Sequence, residues 1–437
     1  MVTIYLVFLM GTLGVALKIQ RVKATGTIYI KAEGSINPPT APIWSLDNVT
    51  YTLTGVITSD ADGIVVERGD IIIDGNGYSL QGLNGLRKGF RLQNVSNVTI
   101  KNIKIEGFAF GVYLDETSHN VLSGNNITAN FVYGIYLRHS SNNSISGNDI
   151  ENSYVGVGLY NSSNNTVSAS NITNNKIGIW LGESFNNTVY HNNFVDNIQQ
   201  VTIEDNANFW DDGYPSGGNY WSDYVGVDVK SGNNQDEPLS DGIGDTSHDI
   251  GGNNTDNYPL MGLFSDFNAT SEYHVQTICN STISDFQFNG TAVCFDVAGE
   301  DGTLGFCRIC IPTALMNGTY RVFINGTEIL PPPSPLPCSN STHKFVYFKY
   351  THSIQEVVIT SFVQQPAWNL IVWACSAILA SCSGFFGYLY LKTRSELQRI
   401  HRRIAGIKEK KSADICPNCG IQNKPEAKFC RKCGKAL

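Results

Sequence analysis

At 437 residues the chain is too long for one ordinary domain. A formal charge of −8 is mild and argues against a nucleic-acid partner. Sixteen Asn-x-Ser/Thr sequons run from Asn48 to Asn340 and then stop, which points to an exported, glycosylated N-terminal part.

In chain order, residues 1–24 read as a signal peptide: the apolar run Ile4 to Leu17 has the length of a signal core, and Val22 and Ala24 suit a small-residue cleavage site. The basic residues Lys18, Arg21 and Lys23 follow that run instead of preceding it, so either the start lies upstream or the segment is kept as an anchor. Residues 25–88 are expected to form an N-terminal cap and a first irregular rung, since an open solenoid end exposes unpaired strand edges.

Residues 89–206 repeat. Segments opening at Gly89, Gly111, Gly134, Gly156 and Gly178 read GFRL, GVYL, GIYL, GVGL and GIWL, with a degenerate copy, QVTI, at Gln200; the spacings are 22, 23, 22, 22 and 22 residues. A fixed period of that size marks a solenoid. Apolar residues recur one and three positions past each start (Val112 and Leu114 in the second copy), and again eleven and sixteen past it (Leu122 and Ile127). Pairs two apart share a face only on a strand, and the helical spacing of three and four is missing. Asn120, Asn143, Asn165 and Asn187 form one recurring column and Asn125, Asn148 and Asn192 another; stacked amides bond from rung to rung.

These repeats, in phrases such as SSNNSISGNDI and FNNTVYHNNF, resemble the parallel β-helix repeat family, specifically archaeal surface proteins related to the nitrous-oxide-reductase maturation protein NosD. The resemblance implies a right-handed, pectin-lyase-like parallel β-helix, closed by a Gly/Asp/aromatic block that occupies residues 207–262 here. That block reads first as a C-terminal cap whose Trp210, Tyr214, Tyr220 and Trp221 cover the last rung. Two further readings stand beside it. Asp241 and Asp245, with Asp236 or Asp249, are spaced for Ca²⁺ around Gly242 and Gly244, and the same four aromatics beside carboxylates suit glycan contact.

Residues 263–364 show short strands separated by Gly, Asn and Pro turns, the pattern of a small antiparallel β-sandwich. Its cysteines, Cys279, Cys294, Cys307, Cys310 and Cys338, are expected to form disulfides outside the cell, with connectivity left open. Asn48, Asn97, Asn268, Asn280, Asn289, Asn317, Asn325 and Asn340 are the glycosylation candidates. Residues 367–391 hold no charge over 25 positions, long enough to span a bilayer. The basic segment 392–414 that follows places the C-terminus in the cytoplasm. The expected location is therefore the cell membrane, single-pass, with the ectodomain outside. In residues 415–437, Cys416, Cys419, Cys430 and Cys433 form C-x₂-C-x₁₀-C-x₂-C, resembling the short zinc-ribbon family; four thiolates suit a closed, structural Zn²⁺ site.

The pectin-lyase-like fold makes a polysaccharide lyase, hydrolase or epimerase the first alternative. The charged residues Asp115, Glu116, Arg138, His139, Asp149, Glu151, Glu183, His191 and Asp196 form no family motif, and Asp211-Asp212 lacks the companions a polygalacturonase needs. No catalytic residue is assigned. A copper-maturation role is the second alternative, but its eight His are scattered and Met is scarce. The favoured reading is a surface-anchored binding, adhesion or envelope-structural module. Its partners would be the membrane and a polysaccharide or other envelope component. Oligomeric state stays open.

Overall fold

The computed structural model describes residues 26–204, 207–331, 333, 335–362, 393–399, 415–424 and 427–436. It divides into two units, residues 1–363 and 364–437. The expected signal segment and the 367–391 span lie outside the described residues; among those described, no helix is long and apolar enough to cross a membrane.

The first unit opens with a parallel β-solenoid of about seven coils, each giving one strand to each of three sheets. In the fullest coils the first sheet takes six-residue strands, Phe110–Asp115, Tyr133–Arg138, Val155–Tyr160 and Ile177–Gly182. The second takes Val121–Ser123 and its equivalents, the third Asn126–Thr128 and its equivalents. Strands pair in register one repeat apart, Val112 to Ile135 to Val157 to Ile179. Every repeat therefore places its inward residues in the same columns. Val112, Leu114, Leu122, Ile127 and their equivalents are fully buried in one continuous core. A column of glycines opens the coils because the backbones touch there: a Cβ on Gly134 would lie 2.7 Å from the Gly156 carbonyl oxygen, and one on Gly156 2.6 Å from that of Gly178.

The polar corners are closed by side-chain ladders. Asn165 accepts from the Asn143 backbone N–H (2.9 Å) and from Asn143 Nδ2 (3.0 Å), while its own Nδ2 donates to Asn187 Oδ1 (3.0 Å) and Ser140 O (3.0 Å). The second column runs Asn125, Asn148, Ser170, Asn192 in the same way. A third column, not visible as a plain Asn repeat, runs Asn130, Ser153, Asn175, Asn197.

Residues 25–88 are more than a cap. Ile28–Ile30 and Ile64–Val66 already belong to the first sheet, and Tyr51, Leu53, Ile57, Ile73 and Leu80 are core residues. Only the short antiparallel strands Ile36–Asn37 and Ile43–Trp44 cover the open edges. At the other end, residues 207–262 seal the solenoid. Trp221 stacks on Phe194 with centroids 4.2 Å apart, and Trp210 lies beside it. Asn208 and Asn219 extend the first two amide ladders by one step. Both indole N–H groups are bonded, Trp210 to Asn254 (3.0 Å) and Trp221 to the buried Asp256 (2.9 Å).

Two antiparallel sheets follow. Leu263–Asn268, His274–Cys279, Leu304–Pro312 and His343–Thr351 form one; Thr282–Phe288, Ala292–Ala298, Gln355–Phe362, Thr319–Ile324 and Thr327–Glu328 form the other. They share a core around Val275, Phe295, Ile309, Val322, Val346 and Val357, as a sandwich does. Cys279 and Cys307 oppose each other across adjacent strands within it. The sandwich leans on the solenoid through a two-way bond between Asn193 and the Phe264 backbone (2.8 and 2.9 Å), through Lys349 Nζ to Ser240 Oγ (3.0 Å), and through Arg308 to the Pro215 carbonyl. At that seam the buried His191 ring stacks on Phe264, centroids 4.1 Å apart, and Nε2–H donates to Ser216 O (3.0 Å).

Two predictions follow from these contacts. Asn165→Val strands several buried backbone and amide groups at about 1–3 kcal/mol each, so chemical denaturation of the chain should show a loss of at least ~2 kcal/mol; a loss under ~1 kcal/mol would remove the ladders from their structural role. The second concerns His191, whose folded pKa is depressed to about 4 by burial, with the nearby Arg308 cation acting the same way. The folded chain then binds fewer protons than the unfolded one between about pH 4 and 6.5, and stability present above that window is lost as pH falls through it. His191→Gln keeps a donor for Ser216 and should flatten that part of the stability–pH curve relative to the native chain; an unchanged difference curve would show that His191 is not titrating there.

Candidate functional site

On the first sheet, the residue between two inward positions must point outward. In GVYL, GIYL and GIWL that residue is Tyr113, Tyr136 or Trp180. Register aligns Arg91, Tyr113, Tyr136, Gly158, Trp180 and Thr202 in one outward column, with Asp115, Arg138, Tyr160 and Gly182 two residues further along. Phe110 and Tyr133, at the strand starts, join them. The rings form one connected face. Tyr133 lies 4.4 Å from Tyr136, Phe110 stacks on Tyr133 at 5.6 Å, Tyr133 reaches Trp180 at 6.3 Å, and Tyr160 stacks on Trp180 at 6.1 Å and 7°. All six side chains are partly exposed.

Glycine shapes this face. A Cβ on Gly158 would meet the Tyr133 ring at 2.4 Å and the Tyr136 ring at 3.1 Å, so both rings lie across the place a side chain would fill. Burial among neighbouring rings pushes the Tyr133 phenol up and the Tyr136 phenol up to about 12; both keep their protons at neutral pH. Lys88 Nζ sits 4.2 Å over the Tyr113 ring, a cation–π contact. At the rim, the buried Asp115 carboxylate accepts from Tyr113 OH (3.4 Å) and pairs with Arg138 (3.5 Å).

The four aromatics expected to contact glycan are placed elsewhere. Trp210 and Trp221 are 1% exposed and serve the cap, where their large rings cover the last coil; Tyr214 and Tyr220 pack in a small cluster with Leu260, Phe264 and Ile278. The calcium reading finds no support. Asp241 is buried and accepts from Ile243 N (3.0 Å), Asp245 accepts from Lys230 N (3.1 Å), and Asp228 accepts from Asp241 N and Gly242 N (2.9 and 2.8 Å). These carboxylates fasten a glycine-rich loop to itself. Among the described residues, the only group of three or more His, Cys, Asp or Glu side chains close enough to hold an ion is the four-cysteine cluster.

Of the other charged solenoid residues, Asp149 and Glu151 come together as walls of one cleft of about 440 Å³ that also includes Asn126, Asn171 and Leu263, and the rest are scattered. Glu116, His139 and Glu183 share one turn column at positive φ (54°, 47° and 49°), and the buried His191 and exposed Asp196 occupy others; Asn, Asp and His tolerate that conformation best. Asp149 and Glu151 lie on the third sheet. All eight sequon asparagines named above are exposed, although Asn280 spends its amide on Leu304 O (3.0 Å) and Phe306 N (2.8 Å).

In the second unit, Cys416 and Cys433 sulfurs lie 3.6 Å apart and those of Cys419 and Cys430 3.5 Å. All four fall within 4.8 Å of one another. Four thiolates at ~2.3 Å from one ion would sit about 3.8 Å apart, so the donor set fits a tetrahedral metal. The two halves repeat one design: Gly420 N bonds to Cys416 O and Gly434 N to Cys430 O, both at 2.9 Å, with both glycines near φ 68° (67° and 69°). Backbone N–H groups of Cys433 and Lys432 stabilise the Cys430 thiolate and lower its pKa to about 6.

Residues 27–226 match the family described as periplasmic copper-binding protein (NosD), and residues 415–437 match the zinc-ribbon domain. No curated protein matches the chain in sequence. Among solved structures it is similar to full-length tailspike protein 2 of an Escherichia coli O157:H7 bacteriophage, at 10% identity and a TM-score of 0.31, with 72% of this chain and 54% of that chain covered. It is also similar to the enzymatically active domain of tailspike protein 2 from bacteriophage CBA120, at 10% identity, TM-score 0.29, and 72% and 60% coverage. A tailspike protein from Acinetobacter baumannii bacteriophage Fri1, a capsular polysaccharide depolymerase, is similar at 10% identity, TM-score 0.18, and 71% and 80% coverage. The chain thus spans 54% and 60% of the first two tailspike chains. Copper needs clustered His, Cys or Met. Residues 27–226 hold no Cys, no Met and three His, His119, His139 and His191, of which His191 is buried against Phe264. The solenoid side chains do not fit a copper centre. Residues 27–226 thus match the NosD family and fold as a parallel β-solenoid, and residues 415–437 match a zinc-ribbon domain around the four-cysteine cluster.

Proposed function

We propose that this protein is a glycan-binding surface protein of archaeal type, anchored by a single membrane span at residues 367–391 and carrying its zinc ribbon in the cytoplasm. The right-handed solenoid presents the binding face, and the sandwich holds that face away from the bilayer. The observation that carries the reading is the connected row of Phe110, Tyr113, Tyr133, Tyr136, Tyr160 and Trp180 on an exposed sheet face. Six large rings left partly open to water on a rigid scaffold form an apolar surface that a soluble protein rarely keeps without use. Sugar rings present their C–H faces to such aromatics, and coils ~4.8 Å apart repeat on the scale of successive sugars in a chain. Phenol, guanidinium and carboxylate groups at the rim bind hydroxyls. The uncharged stretch at 367–391 and the basic residues after it support the topology, and the sequons support glycosylation of the outer part.

Two measurements test this. The full chain is immobilised and tested against neutral and acidic polysaccharides, with retention and product release both recorded. Retention without product is expected. Tyr133→Ala with Trp180→Ala should weaken it at least about fivefold, as two ring contacts of ~0.5–1.5 kcal/mol each would; unchanged retention would displace the aromatic face, and released product would replace binding with catalysis. For the ribbon, one zinc per chain is expected by atomic emission, held by the four cysteines, with Cys416→Ser or Cys430→Ser reducing it to background. Chelation should expose all four thiols to a thiol reagent together, since so small a domain folds on its metal; a metal-free ribbon with unreactive thiols would contradict the assignment.

A further inference from the structure

A cavity lies at the seam between the sandwich and the solenoid cap. Its volume is about 250 Å³, and Pro215, Phe264, Gln276, Arg308, His343 and Phe345 are among its walls. Strand register explains the lining. Gln276, Cys310 and Phe345 are cross-strand neighbours, as are Phe264, Ile278 and Arg308. Residues of the opposite parity, Ile309 and Val346, face the sandwich core, so the cavity is built on the outer face of the four-stranded sheet.

Arg308 is the unusual member. It is 2% exposed. Its guanidinium lies over the Phe345 ring, 4.9 Å from the centroid, and one Nη donates to the Pro215 carbonyl. Both partners are walls of the cavity. The other terminal nitrogen, Nη1, is buried and has no hydrogen-bond partner. Among the described residues, no carboxylate lies within ion-pair distance of it. Asp241, which feels the Arg308 charge, accepts from Ile243 N through Oδ1, keeps Oδ2 without a hydrogen bond, and is not among the cavity walls. A guanidinium taken out of water costs several kcal/mol unless an acceptor with good geometry meets it; carboxylate and phosphate oxygens both match a guanidinium, and the apolar walls Phe264, Phe345 and Pro215 favour the anion that carries an apolar body, an organic carboxylate.

We propose that this seam cavity is a binding site for a small organic carboxylate. The carboxylate accepts from Arg308 Nη1, and the apolar body lies between Phe264, Phe345 and Pro215. Because the walls come from both the solenoid cap and the sandwich, occupancy also ties the two together.

The test uses the full chain and three probes: benzoate, its neutral isostere benzamide, and inorganic phosphate, each titrated by calorimetry and by melting temperature. Saturable 1:1 binding of benzoate is expected, with benzamide weaker by at least about tenfold, the ratio a charge-assisted hydrogen bond supplies, and with a rise in melting temperature. Arg308→Met should abolish the preference for benzoate. His343→Trp, at the exposed mouth, should block benzoate while the melting temperature without probe stays native; it keeps the proposal testable if the buried substitution misfolds. Equal binding of benzoate and benzamide, no saturable benzoate binding, or undiminished binding to folded His343→Trp would each overturn the proposal. Phosphate binding in place of benzoate would overturn it in favour of a simple anion site.

Discussion

Everything in the solenoid depends on satisfying the backbone at the corners where each coil turns. A strand ladder supplies partners for its own peptide groups, but a turn buried between two coils has none. Asparagine answers this because one amide offers both a donor and an acceptor. Asn143, Asn165 and Asn187 each accept from the coil before and donate to the coil after. The ladder works only if every coil returns the amide to the same height, so one extra residue in the wrong place would break it. The near-constant repeat length is the visible result, and the single longer spacing falls between Gly111 and Gly134. Register then follows, and with it the separation of an apolar interior from an exterior free to vary.

That freedom is where function can reside. Inward positions accept only branched apolar residues or Phe, because each column stacks like on like in a close-packed core. Outward positions carry no such demand, yet on the first sheet they are aromatic in coil after coil. Glycines at 158 and 182 then let rings lie flat across neighbouring coils. The result is a rigid surface whose rings are already ordered, so little conformational freedom remains to be lost on binding.

The ends obey different physics. A solenoid has no intrinsic stopping point, so each end needs a dedicated closure. The N-terminal end is closed by two short antiparallel strands. The C-terminal end uses large indoles, whose area covers a whole coil, and carboxylates that hold irregular loops where no strand can pair. Asp256 receives Asn219 N, Trp221 Nε1 and Tyr258 N at 2.8, 2.9 and 3.0 Å. Acidic and aromatic residues that read as ligands in sequence are absorbed by this task. The same closure makes the seam against the sandwich, and with it the cavity around Arg308.

Much of the architecture was legible from the chain alone, because a repeat of 22 or 23 residues with alternating parity admits few folds, and because paired CxxC motifs carry their geometry within a few residues. The inward columns, two of the three ladders, the sandwich strands and the cysteine cluster all follow from local spacing. The third ladder is interrupted by Ser153 just as the second is by Ser170, and its remaining members, Asn130, Asn175 and Asn197, are scattered among the many other turn asparagines. The aromatic face is obscured differently: Tyr113, Tyr136 and Trp180 sit at one offset in the repeat, but Gly158 breaks the column, and the block after residue 207 is richer in aromatics. Whether a Trp faces solvent or a neighbouring coil depends on what the chain does many residues later, as Trp210 bonding to Asn254 shows. Periodicity by itself determined which residues share a face; only the tertiary structure decided which faces stay open, because burial is settled by partners distant in sequence.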